Sequence, residues 1–228
     1  MKYSWIIFDA DGTLFDYNAA ERGALTRAFA EFSIVINEDI IRQYRIINDS
    51  FFKKFESGEI SLDQLRTGRF ALLFHNLGLD FDAEIFSGIY LGYLATGSRL
   101  LPNVESVVRM LSKRVDLVIL TNGISAVQRR RFDRSPIRRY FEDIVISEEE
   151  GFPKPSREIF EITFKRMGYP PKEQVLIVGD SLTSDITGGN NYGIDTCWIT
   201  PDAESMNKSS ATYTICQIAE LLPVLEIT

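Results

Sequence analysis

Histidine is almost missing from this chain: His75 is the only one in 228 residues. A single imidazole excludes a multi-histidine zinc centre and an H-E-x-x-H protease, and it leaves little room for a Ser-His-Asp hydrolase. Any catalysis then falls to carboxylates and lysines. Cysteine is scarce too, with only Cys197 and Cys216. The chain is long enough to bury a core without covalent staples, so a disulfide framework is excluded and a reducing compartment is indicated. Net positive charge is lacking, because 25 Lys and Arg face 32 Asp and Glu for a formal −7. No overall field gathers nucleic acid or anionic lipid, and an anionic substrate must be held locally. No run approaches the roughly 18 consecutive apolar residues of a spanning helix. The opening Met1-Lys2-Tyr3-Ser4 enters an apolar run that reaches Asp9 too soon for a signal-peptide core. The expectation is a soluble cytoplasmic protein, a monomer or weak dimer, with no membrane and no nucleic-acid partner.

What the chain does contain is an alternation of short apolar runs and helical stripes. The runs are Trp5 to Phe8, Val115 to Leu120, Ile144 to Ile146, Val175 to Val178 and Thr196 to Ile199. Helical spacing is clear in Val104, Val107, Val108 and Leu111, in Phe160, Phe164 and Met167, and in Ile215, Ile218, Leu222 and Leu225. This pattern predicts an α/β fold, a Rossmann-like core with a largely parallel sheet. The stretch 18–97 breaks it, with four successive helical stripes and no strand. The stripes are Leu25, Ala28, Phe29 and Phe32; Ile40, Tyr44, Ile47, Phe51 and Phe55; Phe70, Leu73 and Leu77; and Ile85, Ile89 and Leu94 with Phe86, Tyr90 and Tyr93 alongside. An inserted all-α four-helix domain over 18–97 follows, with the α/β core in 1–17 and 98–228 and hinges at Phe15 to Asn18 and Thr96 to Pro102. Thr200 to Ser210 reads as a surface loop.

Three of the apolar runs end in small or acidic polar residues: Phe8 leads into Asp9-Ala10-Asp11-Gly12-Thr13, Leu120 into Thr121-Asn122-Gly123, and Val178 into Gly179-Asp180-Ser181. Carboxyl ends of parallel strands share one edge, the edge at which open α/β sheets bind ligands. Asp9, Asp11 and Asp180 gathered there repel one another and call for a cation, and an oxygen-only ligand set selects Mg²⁺. Thr121 and Asn122, at a turn opening the next helix, offer a hydroxyl, an amide and backbone N–H groups to an anion. Lys154, between Pro153 and Pro155, adds a point charge on a restricted segment. Each fragment taken alone reads equally as a turn, a helix cap or a solvated loop. Their joint occurrence at strand ends describes a phosphoryl-transfer site.

The constellation Asp9-Ala10-Asp11-Gly12-Thr13-Leu14, Thr121, Lys154-Pro155 and Gly179-Asp180-Ser181 followed by Asp185 resembles the haloacid dehalogenase superfamily along the whole chain, with a helical cap inserted after the first motif. The resemblance implies a phosphatase. Asp9 would be the nucleophile that forms an aspartyl-phosphate, and Asp11 would protonate the leaving alcohol and then activate water. Mg²⁺ would sit on the Asp9 carboxylate, the Asp11 backbone carbonyl and Asp180. Asp185 would orient metal waters or Lys154 from behind. Thr121 and Asn122 would bind phosphoryl oxygens, Lys154 would bridge Asp9 and the phosphate, and the cap would exclude bulk water and reopen for release. An aspartate at position 11 favours phosphoester chemistry over dehalogenation. The run from Gly179 to Trp198, with Thr121-Asn122-Gly123, is similar to the bacterial pyrimidine 5′-nucleotidase branch, departing from it at Thr200-Pro201, where an asparagine before the proline is expected. That points to a small phosphomonoester, a pyrimidine nucleoside monophosphate, as substrate. The alternatives are another sugar phosphate or phosphoglycolate phosphatase, a phosphomutase, or a binding protein without turnover.

Arg129, Arg130, Arg131, Arg134, Arg138 and Arg139 place six arginines in eleven residues. With net negative charge and no interleaved aromatic ladder they read as a solvated helix face with acidic neighbours such as Asp133 and Glu142. The aromatics of 18–97 read as core filler, with one or two open to stacking on a nucleobase. His75 has no metal partners near it in sequence and reads as structural, and Cys197 reads as an inert strand residue.

Overall fold

The computed structural model describes residues 2–202 and 209–227. The chain divides into two compact units, Met1–Asp16 with Ser98–Thr228, and Tyr17–Gly97.

The first unit is built on β1 (Trp5–Phe8). The second unit then intervenes with α1 (Tyr17–Glu31), α2 (Glu38–Glu56), α3 (Leu62–Leu77) and α4 (Ala83–Leu94). The chain returns to the first unit through α5 (Val104–Leu111), β2 (Asp116–Thr121), α6 (Ser125–Asp133), β3 (Asp143–Ile146), α7 (Ser147–Glu150) and α8 (Arg157–Arg166). It continues with β4 (Val175–Gly179), a π-helical turn at Leu182–Ile186, α9 (Thr187–Tyr192), β5 (Asp195–Ile199), β6 (Tyr213–Ile215) and α10 (Leu221–Val224).

The six strands form one parallel sheet in the order β3-β2-β1-β4-β5-β6. A strand buried on both faces needs apolar residues at every position, and the central β1 has them: Ile6, Ile7 and Phe8 are all fully buried. Successive side chains divide between two cores with a period of two. Ile6, Phe8, Leu117, Ile119, Leu176 and Val178 join α5 on one face. Ile7, Val118, Leu120, Val175 and Ile177 join α8 and Tyr192 on the other.

Two readings of the sequence need correction. Ile215 does not open a helical stripe; it ends β6, paired with Ile199, and only Ile218–Glu220 and Leu221–Val224 are helical. A three-residue edge strand is too short to carry a period-two signal against the helical spacing of its neighbours. In α4 the buried stripe is Phe86, Tyr90 and Leu94, while Ile85 is 60% exposed. The large rings outcompete isoleucine for the interior because each buries more apolar surface. The expected loop at Thr200 to Ser210 falls largely, at 203–208, outside the described residues.

The second unit is a helical assembly whose interior is aromatic: Phe29, Phe70, Phe74 and Phe86 meet with ring centroids 4.8–6.4 Å apart. A reciprocal Ser61–Gln64 capping box starts α3, and Gly78 in the left-handed region ends it. Within this interior lies one buried cation, Arg69, whose Nη1 donates to Asn48 Oδ1 at 2.6 Å. His75 sits exposed in the last turn of α3.

Phe160 of α8 is fully buried and stacked on Tyr192 at 5.5 Å. Phe160→Ala is expected to lower unfolding stability by about 3–5 kcal/mol, the range for emptying a packed aromatic site. Denaturant-induced unfolding of the two proteins measures it.

Candidate active site

The sheet order explains why distant residues meet. β1 lies between β2 and β4, with Phe8 level with Ile119 on one side and Val178 on the other. The next step along each strand brings Asp9, Leu120 and Gly179 to one edge, and Asp9 N donates to Val178 O at 2.9 Å to carry the ladder one residue further. This is the position where strand order reverses, the crevice-forming point of an open parallel sheet.

Lys154 is the hub of that edge. Its Nζ donates to Asp9 Oδ1 at 2.6 Å, to Asp185 Oδ1 at 2.6 Å and to the Leu120 carbonyl at 2.8 Å. All three ammonium protons are therefore satisfied. Asp9 is 8%, Lys154 1% and Asp185 0% exposed. Burial works against the charge of Lys154, but Asp185 and then Asp9 more than offset it and hold the ammonium above the ordinary lysine range. Asp185 is itself fixed by the Ser181 N–H at 3.0 Å.

Asp9 is raised well above the usual carboxylate range, chiefly by burial; Lys154 opposes the shift, and Asp185 and Asp180 add to it. Asp180 stands at the exposed rim yet is flanked by protein on its other sides. This desolvation and Asp185, against Lys154 and with a further push from Asp11, move it up to about 7. Its backbone is tied by the Trp198 indole, which donates to the Asp180 carbonyl at 2.8 Å. Gly12, with φ +79°, makes room for it, since a Cβ there would lie 2.1 Å from Asp180 Oδ2.

Asp9, Asp180 and Asp185 each bring a carboxylate oxygen within 4.8 Å of the others. Three ionised carboxylates against one lysine leave two net negative charges, and the donors are all oxygen. A hard divalent cation such as Mg²⁺ fits this set. Asp9 and Asp180 would hold it, because both oxygens of Asp185 are already engaged, one by Lys154 and one by Ser181 N–H.

The remaining expected residues are placed as follows. Thr121 ends β2, nearly fully buried, and its Oγ1 accepts from Gly123 N at 3.0 Å. The side chain of Asn122 was expected at the phosphate, but it is committed to Lys154. Its Nδ2 donates to the Lys154 carbonyl at 2.9 Å, and its Oδ1 accepts from the Lys154 N–H at 2.8 Å. The amide fixes the lysine's backbone with its oxygen and one of its two N–H groups. Asp11 stands apart from the three-carboxylate cluster. Gln128 Nε2 donates to its Oδ2 at 2.5 Å, and Arg131 Nη1 ion-pairs with its Oδ1.

Gln128 and Arg131 are the residues that sequence reasoning missed. Arg131 belongs to the run that reads as a solvated helix face, yet it is fully buried. Only part of that run behaves as expected: Arg129 pairs with Glu149 at the surface, and Arg138 donates to the Phe141 carbonyl at 3.1 Å. The signal for an exception was present in the spacing, since Gln128 and Arg131 are three apart and share a helix face with Phe132 close by.

The switch point of an open parallel sheet thus carries a buried aspartate-lysine-aspartate arrangement with Asp180 at its rim. A model of the haloacid dehalogenase-like hydrolase family matches residues 3–193, and the chain belongs to that family. It is 36% identical to the HAD-hydrolase YfnB of Bacillus subtilis over 99% of this chain and 97% of that one. It is 33% identical to the pyrimidine 5′-nucleotidase YjjG of Escherichia coli, over 99% of both chains. With the pyrimidine 5′-nucleotidase PynA of Streptococcus pneumoniae it shares 35% identity over 99% of this chain and 96% of that one. The magnesium-bound crystal structure of YfnB superimposes with a TM-score of 0.94, covering both chains completely. No helix among the described residues is long and apolar enough to cross a membrane.

Two outcomes are expected. Lys154→Met leaves Asp185 buried without its cation and should cost about 3–5 kcal/mol of unfolding stability. Adding Asp185→Asn to that variant should recover part of the loss, and chemical denaturation of the single and double variants tests both. The second outcome concerns pH in the presence of EDTA. A carboxyl raised to about 7 in the folded protein favours the fold while protonated and loses that contribution as pH rises through 7. Asp180→Asn should therefore melt above the parent at pH 8, by about 2–4 °C for each 1 kcal/mol relieved in a chain of this size. The difference should shrink as pH falls through 7 and vanish only below about pH 4, where the carboxyl is protonated in the unfolded chain as well.

Proposed function

We propose that this protein is a Mg²⁺-dependent phosphomonoester hydrolase that works through an aspartyl-phosphate on Asp9, with pyrimidine nucleoside 5′-monophosphates as substrates. The observation that carries the reading is the Asp9 carboxylate, held at the switch point with one oxygen on the Lys154 ammonium and Asp180 across from it. The nucleotide preference is supported by full-length similarity to two pyrimidine 5′-nucleotidases.

In the first step an Asp9 oxygen attacks phosphorus, the P–O bond to the leaving alcohol breaks, and Asp11 gives that alkoxide a proton. In the second step Asp11 takes a proton from a water, the water oxygen attacks phosphorus, and the Asp9 acyl-phosphate bond breaks to release inorganic phosphate. Splitting the reaction replaces water with a fixed carboxylate as the first nucleophile. Lys154 holds Asp9 in its attacking orientation and neutralises a phosphoryl oxygen as charge shifts. The Thr121 hydroxyl and the N–H groups following β2 cradle the other phosphoryl oxygens. When bound, Mg²⁺ supplies charge neutralisation between the anionic nucleophile and the anionic ester.

The test is phosphate release from a panel of nucleoside monophosphates, sugar phosphates and phosphoglycolate, with Mg²⁺ and with EDTA, alongside Asp9→Asn. Uridine and deoxythymidine monophosphates are expected to lead, EDTA to abolish turnover and Mg²⁺ to restore it. Asp9→Asn should lose at least about 10³ in rate, roughly 4 kcal/mol of transition-state stabilisation. A leading sugar phosphate or phosphoglycolate overturns the nucleotide preference, transfer between sugar hydroxyls without phosphate release makes the protein a mutase, and undiminished turnover by Asp9→Asn removes the nucleophile from Asp9.

A further inference from the structure

We infer that Gln128 and Arg131, on one face of α6, are positioning residues that hold the Asp11 carboxylate in its proton-transfer orientation. The inference rests on the reading of Asp11 as the group that protonates the leaving alcohol.

Both oxygens of Asp11 are engaged from the same helix. Oδ1 is paired with Arg131 Nη1, and Oδ2 accepts from Gln128 Nε2 at 2.5 Å. Residues three apart on a helix project side by side, so the two donors present a fork to one carboxylate. Two-point attachment fixes the carboxylate plane as well as its position. The side chain of Asp11 is still 25% exposed, so part of the carboxylate remains open for a leaving group or a water.

The arrangement is built for permanence. Arg131 is fully buried, its guanidinium lies 5.3 Å from the centroid of the Phe15 ring, and its Nε and Nη2 have no hydrogen-bond partner. Asp11 is the acidic group paired with it. Moving that carboxylate away would strand a buried charge, so the pair resists separation. Gly123 makes room for the other arm: a Cβ there would lie 2.0 Å from Gln128 Nε2. The turn that begins the anion cradle and the clamp on Asp11 therefore share one glycine. A buried arginine serving only to stabilise the fold would need no partner on the edge of the reacting site.

The test uses the leaving group. An aryl ester such as p-nitrophenyl phosphate departs without protonation, whereas a nucleoside 5′-monophosphate leaves as an alkoxide that needs a proton. Steady-state kcat/KM reports the steps up to alcohol release and is insensitive to the later hydrolysis. Arg131→Met, apolar and of similar length, is expected to lower kcat/KM on the nucleotide by about 10²-fold and on the aryl ester by less than about 5-fold. Gln128→Leu should show the same asymmetry with a smaller loss, and Arg131→Lys should fall between Arg131→Met and the parent. In an Asp11→Asn background, Arg131→Met should cost nothing further on the nucleotide. Equal losses on the two esters, losses that add to those of Asp11→Asn, or no loss at all overturn the positioning role. If Asp11→Asn alone shows no leaving-group asymmetry, the proton-donor reading of Asp11 fails first, and that result is distinct from the others. Should Arg131→Met not fold, as circular dichroism would show, Gln128→Leu decides on the same two esters.

Discussion

A buried ammonium held between two buried carboxylates is the constraint from which the rest of the site follows. Lys154 is buried at 1% exposure, so its three protons dictate where Asp9, Asp185 and the Leu120 carbonyl must stand. Those partners come from the end of β1, the end of β2 and the π-helical turn after β4. One cation thus pins three segments that share nothing in sequence. Its own backbone is clamped in turn by the amide of Asn122. A chain of obligations links strand register to the orientation of a single carboxylate, because each buried polar group costs free energy if its partner moves.

Charge sets the second constraint. The edge collects more carboxylates than Lys154 can balance; burial first, and then their mutual repulsion, raises Asp9 well above the usual carboxylate range and brings Asp180 up to about 7. Folding assembles this repulsion because the strands must be in register to bury their apolar faces, which contribute far more than the local repulsion removes. The protein is consequently least comfortable at this edge, and a divalent cation is the species whose charge would relieve it.

Much of this was legible in the sequence, for identifiable reasons. Apolar runs that stop abruptly at Asp9, Thr121 and Asp180 announce strand ends, and parallel topology brings such ends together whatever their separation. The helical stripes of 18–97 were legible because helix periodicity is local. What escaped were features that depend on which way a helix faces. Arg131 looks like one of six surface arginines until α6 docks and turns it inward beneath Asp11. The grip of the Asn122 amide on the backbone of Lys154 escaped as well, because it forms only when a distant loop folds across it. β6 escaped because three residues are too few for a period to show. Composition and spacing report what a residue can do; its tertiary neighbours decide which of those things it does.

The order of elements along the chain also bears on how the molecule is made. β1 finds its partners β2 and β4 more than a hundred residues later, while each helix of the intervening unit packs on neighbours close in sequence or on the other end of that unit. During synthesis the helical unit can complete itself while β1, an apolar strand with both edges open, is still waiting. Sequence-distant pairing of this kind slows folding and lengthens the exposure of such an edge. Asp9 and Asp11 are made before any of these partners, so a chain interrupted before Gln128 carries two carboxylates with neither Gln128, Arg131 nor Lys154 yet present to hold them.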